Sequence, residues 1–211
     1  KMQRVFKQIF ALLLGTVLTT AGISLFYAVN IGTDPISVLV DGQHNLMNLP
    51  YGTVTLINNI ILILFGLIFA RKYVYVGTIV GGILMGPLIN AFVPLFSSWI
   101  PETAPFVLLV LFLFPAVSLL GVGVAIVISI NFGVSTMDIL TLTLRDVTRV
   151  DLKWVKIGLD VVFTVSGFMM GGVVGVGTLI GVFLTGPIIG FALPHCERAF
   201  ARWAPLAPVG A

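Results

Sequence analysis

Val76-Gly77-Thr78-Ile79-Val80-Gly81-Gly82-Ile83-Leu84-Met85-Gly86-Pro87-Leu88-Ile89 returns one hundred residues later as Val176-Gly177-Thr178-Leu179-Ile180-Gly181-Val182-Phe183-Leu184-Thr185-Gly186-Pro187-Ile188-Ile189. Eight of the fourteen positions are identical, at a constant offset of 100. Shared apolar composition alone would not put glycine, threonine and proline in the same order. The match extends outward. Gly22, Asn30 and Gly32 correspond to Gly123, Asn131 and Gly133, and Asn59 and Gly66 to Asp160 and Gly167, at an offset of 101. The chain therefore reads as one membrane domain, 1–211, of two homologous halves at about 8–98 and about 104–195.

Composition says which solvent those halves face. Of 211 residues, 58% are hydrophobic and 9% charged, with a mean hydropathy of +1.15. Soluble domains carry roughly 25% charged residues, so this chain has too few charges to cover a water-facing surface. Its apolar runs are long and unbroken, as at 106–130, unlike the alternating segments of about ten residues in a membrane β-barrel. A membrane helix needs about 20 apolar residues. Six segments meet that need, at about 10–29, 51–70, 73–96, 105–130, 154–170 and 174–193. The fold expected is all-α, with about six transmembrane helices.

Basic residues orient the spans. Lys1, Arg4 and Lys7 precede the first span, Arg71 and Lys72 separate the second and third, and Arg145, Arg149, Lys153 and Lys156 lie between the fourth and fifth. Arg198 and Arg202 follow the sixth. All eleven Lys and Arg residues thus fall on one side, which the positive-inside rule makes cytoplasmic for both termini. The segments around Asp34, Glu102 and Gly171 fall on the other. Three spans per half make the second half enter from the opposite face, the inverted-repeat pattern of many secondary transporters. Trp99, Trp154, Trp203, Tyr51, Tyr73 and Tyr75 stand near span ends, where interfacial anchors belong. The first apolar run follows three basic residues but is too long for a signal-peptide core, so it reads as a retained helix.

Each half also holds a short segment between its first two spans: 32–41 in one, 133–142 in the other. Asp34 before Pro35 is a helix start, a capping carboxylate followed by a residue that needs no backbone donor. Ser135 or Thr136 caps the second, with Asp138 in its first turn. Too short to span, each segment either lies at the interface or re-enters the membrane under cover of protein.

Polar residues inside spans mark candidate sites. Asp160 lies about two turns into the fifth span, with Lys156 one turn earlier on the same face. Asn58 and Asn59 hold the matching place in the second span, and Asn90 follows Gly86-Pro87 in the third. Asp34 and Asp138 start the short helices. The substrate-binding candidates are therefore Asp34, Asn58, Asn59, Asn90, Asp138 and Asp160. Gly86, Pro87, Gly186 and Pro187 are expected to kink or break the third span of each half, because proline removes a helical hydrogen bond. Gly77-xxx-Gly81 and Gly177-xxx-Gly181 present small faces for close packing, within the chain or in a homodimer.

Other chemistry is missing from the sequence. His44 and His195 make no metal site, Cys196 has no second cysteine to pair with, and no serine–histidine pair, HExxH or P-loop is present. The expectation is no enzyme, no cofactor, no metal and no nucleic-acid partner. Two readings remain: a transporter of a small solute (or a channel) with a polar site between the halves, and a non-transporting accessory or lipid-binding scaffold.

Asn30-Ile31-Gly32-Thr33-Asp34-Pro35, the Leu49-Pro50-Tyr51-Gly52 entry to the second span, and the paired Gly-Thr and Gly-Pro motifs resemble the YczE/YyaS/YitT family of bacterial membrane proteins. The resemblance implies a protein of the bacterial cytoplasmic membrane. It implies nothing about activity.

Overall fold

A computed structural model describes residues 2–101, 103–131 and 133–200. Lys1, Glu102, Arg202, Trp203 and the side chain of Arg4 lie outside the described residues. Within them the secondary structure is helical: α1 (Met2–Val29), α2 (Pro35–Met47), α3 (Tyr51–Phe69), a 3-10 turn (Arg71–Tyr73), α4 (Val76–Ser97), α5 (Phe106–Ser129), α6 (Thr136–Thr148), α7 (Leu152–Met169) and α8 (Val176–Phe200). In hydrocarbon each backbone N–H and C=O must find its partner inside the protein, and long apolar helices do that without help. Five helices, α1, α3, α4, α5 and α8, are long and apolar enough to cross a membrane. The 18-residue α7 carries Lys153, Lys156 and Asp160, which set it apart from those five.

The expected breaks at Gly86-Pro87 and Gly186-Pro187 do not occur. α4 and α8 run on through both pairs and through Pro94 and Pro194 as well. Each helix has committed turns on both sides of the proline, and one missing hydrogen bond does not end it.

The centre is the α1–α5 pair, with α4 packed on α1 and α8 on α5. Small residues bring the two helices together. A Cβ on Gly22 would stand 2.6 Å from the Ala116 carbonyl oxygen, and one on Gly123 would stand 2.7 Å from that of Gly15. Phe26, Leu113 and Val117, all buried, fill the core beside this crossing.

The turns that follow α1 and α5 share an unusual backbone. Asn30 (φ 53°) and Asn131 (φ 49°) are left-handed, and Gly32 (φ 105°) and Gly133 (φ 155°) have positive φ, where a side chain is strained. Both glycines are also crowded. A Cβ on Gly32 would stand 2.7 Å from Thr178 Oγ1, and one on Gly133 would stand 2.8 Å from Thr78 Oγ1. Thus the N-terminus of α8 abuts the turn after α1, and that of α4 abuts the turn after α5. Thr78 Oγ1 donates to the Val134 carbonyl at 2.6 Å, and the Gly177 amide to that of Ile31 at 3.0 Å. The glycine faces at Gly177 and Gly181 are used here, within the chain, against the 31–34 segment.

α2 packs on α7 and α3, while α6 packs on α3 and α7. Asp34 caps α2 as expected, accepting from the Ser37 amide at 3.4 Å ahead of Pro35. Ser135 stands at the N-cap of α6 without a side-chain cap bond. Thr136 is turned inward to Asn59 instead, donating to Asn59 Oδ1 at 2.7 Å. Two of the expected interfacial aromatics also turn inward. Tyr73 is buried, its hydroxyl donating to Asp146 at 2.6 Å, and Tyr51 stacks between Tyr27 and His44. Trp99 and Trp154 stay exposed at helix ends.

Candidate functional site

All eight α-helices, α4 through Met85 and Ile89, contribute to the wall of a cavity of about 600 Å³. Five of the six polar candidates line it: Asp34, Asn58, Asn59, Asp138 and Asp160. The two short helices bring their first turns to the same space, with Asp34 and Pro35 from one side and Ser135, Thr136 and Asp138 from the other. Their far ends, at 45–48 and 146–148, are exposed.

Each polar group is held by its own neighbours. Asn58 Nδ2 donates to Gln43 Oε1 at 2.6 Å and Asn58 Oδ1 accepts from Gln43 Nε2 at 3.4 Å, an amide pair joining α3 to α2. Asn59 is buried, donating to the Gly82 carbonyl at 2.8 Å while accepting from Thr136. Asp160 pairs with Lys156 one turn earlier on α7. Asp34 also accepts from the Thr33 hydroxyl at 3.4 Å. The ionic lining is therefore three carboxylates, Asp34, Asp138 and Asp160, against one ammonium, Lys156. Two hydroxyls on the lining, Thr19 Oγ1 and Thr185 Oγ1, are buried and have no hydrogen-bond partner. Most of the remaining wall is apolar, including Ile23, Val124, Phe163 and Ile189.

Asn90 is not on this wall. Its Oδ1 accepts from the Gly52 amide at 2.8 Å and its Nδ2 donates to Thr53 Oγ1 at 3.3 Å, so it fastens α4 to the start of α3. Gly86 does the same by proximity, packed against Gly52 and Leu56. Gly186 faces open space. Among the described residues, no group of three or more His, Cys, Asp or Glu is placed to hold a metal ion.

One structural carboxylate escaped the sequence reading. Asp41, buried on α2, accepts from the Tyr51 hydroxyl at 3.1 Å and from the Val173 amide at 2.6 Å. It ties α2 to α3 and to the α7–α8 turn. A lone acidic residue halfway along a short amphipathic helix looks like part of a polar face, so nothing local marked it as buried.

At the other end of the short-helix layer, outside the membrane-spanning segments, Asp146 gathers Lys72 (2.6 Å), the Tyr73 hydroxyl and Arg145 (2.8 Å). The Lys72 ammonium first, then Tyr73 and Arg145, hold its carboxyl well below the usual carboxylate range.

Residues 6–194 match the family of unknown function DUF6198. The chain is 25% identical over 182 residues to the uncharacterized membrane protein YczE of Bacillus subtilis (strain 168), covering 86% of this chain and 83% of that one. It is 26% identical over 187 residues to the uncharacterized protein YyaS of the same organism, covering 89% and 92%. No solved structure matches the chain.

Proposed function

The chain belongs to DUF6198 and is a multi-pass membrane protein similar to YczE and YyaS; from that premise we propose that it is a transporter of a small solute, with its site between two inverted repeats. In this reading α7 is the fifth of six spans, and both termini lie in the cytoplasm of a bacterial cell. Reciprocal packing supports the inverted repeat. Gly22 meets Ala116 as Gly123 meets Gly15, and Gly32 meets Thr178 as Gly133 meets Thr78. Each pair of contacts becomes the other when the offset of 100 or 101 is applied, as a two-fold axis between α1 and α5 requires.

The observation that carries the function is the convergence of two helix N-termini and five polar candidates on one cavity. Transporters of inverted-repeat type bind at this place, with half-helix ends aimed at the solute. The short helices read as re-entrant, because their first turns line the cavity and their last turns are exposed. Carboxylates within the membrane are costly and mark solute or proton paths. No chemical step, metal or cofactor enters this reading. The two helix N-termini, each worth about half a positive charge, pull toward an anion; three carboxylates against one ammonium outweigh them and favour a cationic solute.

Proteoliposome flux tests it. Uptake of a small organic cation, tetramethylammonium, is expected in the parent, with a large loss in Asp160→Asn and Asn59→Ala. Equal flux in parent, variants and empty vesicles would sink the transporter reading. A second reading, a lipid-binding accessory protein that moves nothing, has one observation in its favour: the predominance of apolar side chains on the cavity wall.

A further inference from the structure

The two halves differ at one seam. α3 and α4 are closed by three contacts: Asn59 to the Gly82 carbonyl, Asn90 to the Gly52 amide, and Gly86 against Gly52 and Leu56. The corresponding helices, α7 and α8, share no extended packing. The sequence explains why each contact is lost. Asp160 replaces Asn59, and a carboxylate cannot donate to a carbonyl. Gly190 replaces Asn90 and has no side chain to reach across. Lys153 replaces Gly52, and a long charged residue forbids close approach. Gly158 on α7 and Gly186 and Gly190 on α8 accordingly meet nothing within 4 Å of where a Cβ would stand.

The seam is not open along its whole length. At the α7–α8 turn, Asp41 holds the Val173 amide, Asn45 Nδ2 donates to the Gly171 carbonyl at 2.7 Å, and Gly177 is bonded to Ile31. The helices part beyond that anchored end. Asp160 lies nine residues before the end of α7, and Gly186 ten residues after the start of α8. At 1.5 Å per residue both stand about 15 Å from the turn, near the middle of a hydrocarbon core about 30 Å thick. Val182 lines the cavity and is also 52% exposed. Val161 and Val162 on α7 and Phe183 on α8 have more than half their surface uncovered.

We propose that the α7–α8 seam is a lateral portal through which a single-chain cationic amphiphile enters the cavity from the bilayer. The inference rests on the site reading above and names its ligand class. An alkyl chain suits the apolar wall and passes Val182 between α7 and α8 without leaving hydrocarbon. A fixed positive head group suits three carboxylates faced by one ammonium, and it displaces Lys156 from Asp160.

Photolabelling in proteoliposomes tests this, with dodecyltrimethylammonium carrying a diazirine in its chain. Labelling is expected on cavity-lining peptides of α5, α7 and α8. Unlabelled dodecyltrimethylammonium competes, tetramethylammonium at equal concentration competes far more weakly, and dodecyl sulfate does not. Asp160→Asn lowers labelling about tenfold, equivalent to about 1.4 kcal/mol. Gly186→Trp fills the seam and lowers it by a similar factor, with Val182→Trp as a second block should the first fail to fold. Phe114→Trp, on a lipid-facing position of α5 away from the cavity, keeps parental labelling. If both seam variants fold and label like the parent, the portal falls. If tetramethylammonium competes equally, the amphiphile class falls; if dodecyl sulfate does, the charge assignment falls. Flux separates this idea from the transporter reading. Tetramethylammonium flux lost in Asp160→Asn but intact in Gly186→Trp, with no site labelling, keeps the transporter and overturns the portal. Seam-dependent labelling without any flux keeps the portal and overturns transport.

Discussion

Asn59 Nδ2 donates to the Gly82 carbonyl at 2.8 Å across the α3–α4 seam. The same side chain accepts from Thr136 at 2.7 Å, so one buried amide joins three helices that line the cavity, α3, α4 and α6. Asn59→Ala strands a backbone carbonyl and a hydroxyl. The expected loss is about 1–2 kcal/mol, since membrane hydrogen bonds are worth less than their buried geometry suggests. Unfolding in mixed detergent micelles measures it, and unchanged stability would show that the seam is held by packing alone.

Two glycines that align in sequence should respond oppositely to one methyl group. A Cβ on Gly86 would stand 2.6 Å from the Gly52 carbonyl oxygen and 2.7 Å from Leu56 Cβ, while one on Gly186 would meet nothing. Gly86→Ala is expected to destabilise by about 1–3 kcal/mol through overpacking. Gly186→Ala is expected to be neutral or stabilising by up to about 1 kcal/mol, the helix preference of alanine over glycine. Parallel melting curves decide it; equal losses would mean that α8 is packed at Gly186.

Asp41 fastens the α7–α8 turn to α2, and its removal leaves both the Val173 amide and the Tyr51 hydroxyl without their acceptor. Asp41→Ala is expected to cost about 2–3 kcal/mol, the range for a hydrogen bond to a charged group. It should also expose the 171–175 turn. Maleimide labelling of a cysteine introduced at Val174 in a Cys196→Ser background should quicken in Asp41→Ala. An unaltered labelling rate would argue against the anchor.

The Asp146 cluster gives a pH dependence. The folded carboxyl is held below its unfolded value, so its contribution is complete above the unfolded pKa of about 3.9 and lost as pH falls toward the depressed folded value. The difference between parent and Asp146→Asn should therefore be constant from pH 5 to 8 and shrink below about pH 4. The charged groups of the cluster lie at the surface, so the difference should also weaken in high salt. A pH series of melting temperatures for both proteins checks it; a gap that widens in acid would contradict the assignment.

Cavity residues were legible in unequal degree. Asn58, Asn59 and Asp160 stood out because polar groups in apolar spans are expensive, and all three line the cavity. Asn90 stood out for the same reason but serves the α3–α4 seam, because one-dimensional position does not say which face of a helix points inward. Tyr73 looked like an interfacial anchor at a span end, yet it is buried beneath Asp146. A tyrosine beside basic residues reads the same in sequence whether it meets lipid headgroups or a folded-back short helix.

By itself the sequence determined the solvent, the helices and the correspondence between the halves. Apolar length, charge scarcity and ordered glycines act locally and survive in one dimension. Tertiary structure alone decided which glycines touch, which carboxylate is structural, and that the aligned seams α3–α4 and α7–α8 differ. The substitutions that separate the seams, at Asp160, Lys153 and Gly190, are visible in the chain. Their consequence depends on three pairings across two helices, and a pairing has no meaning until both partners are placed.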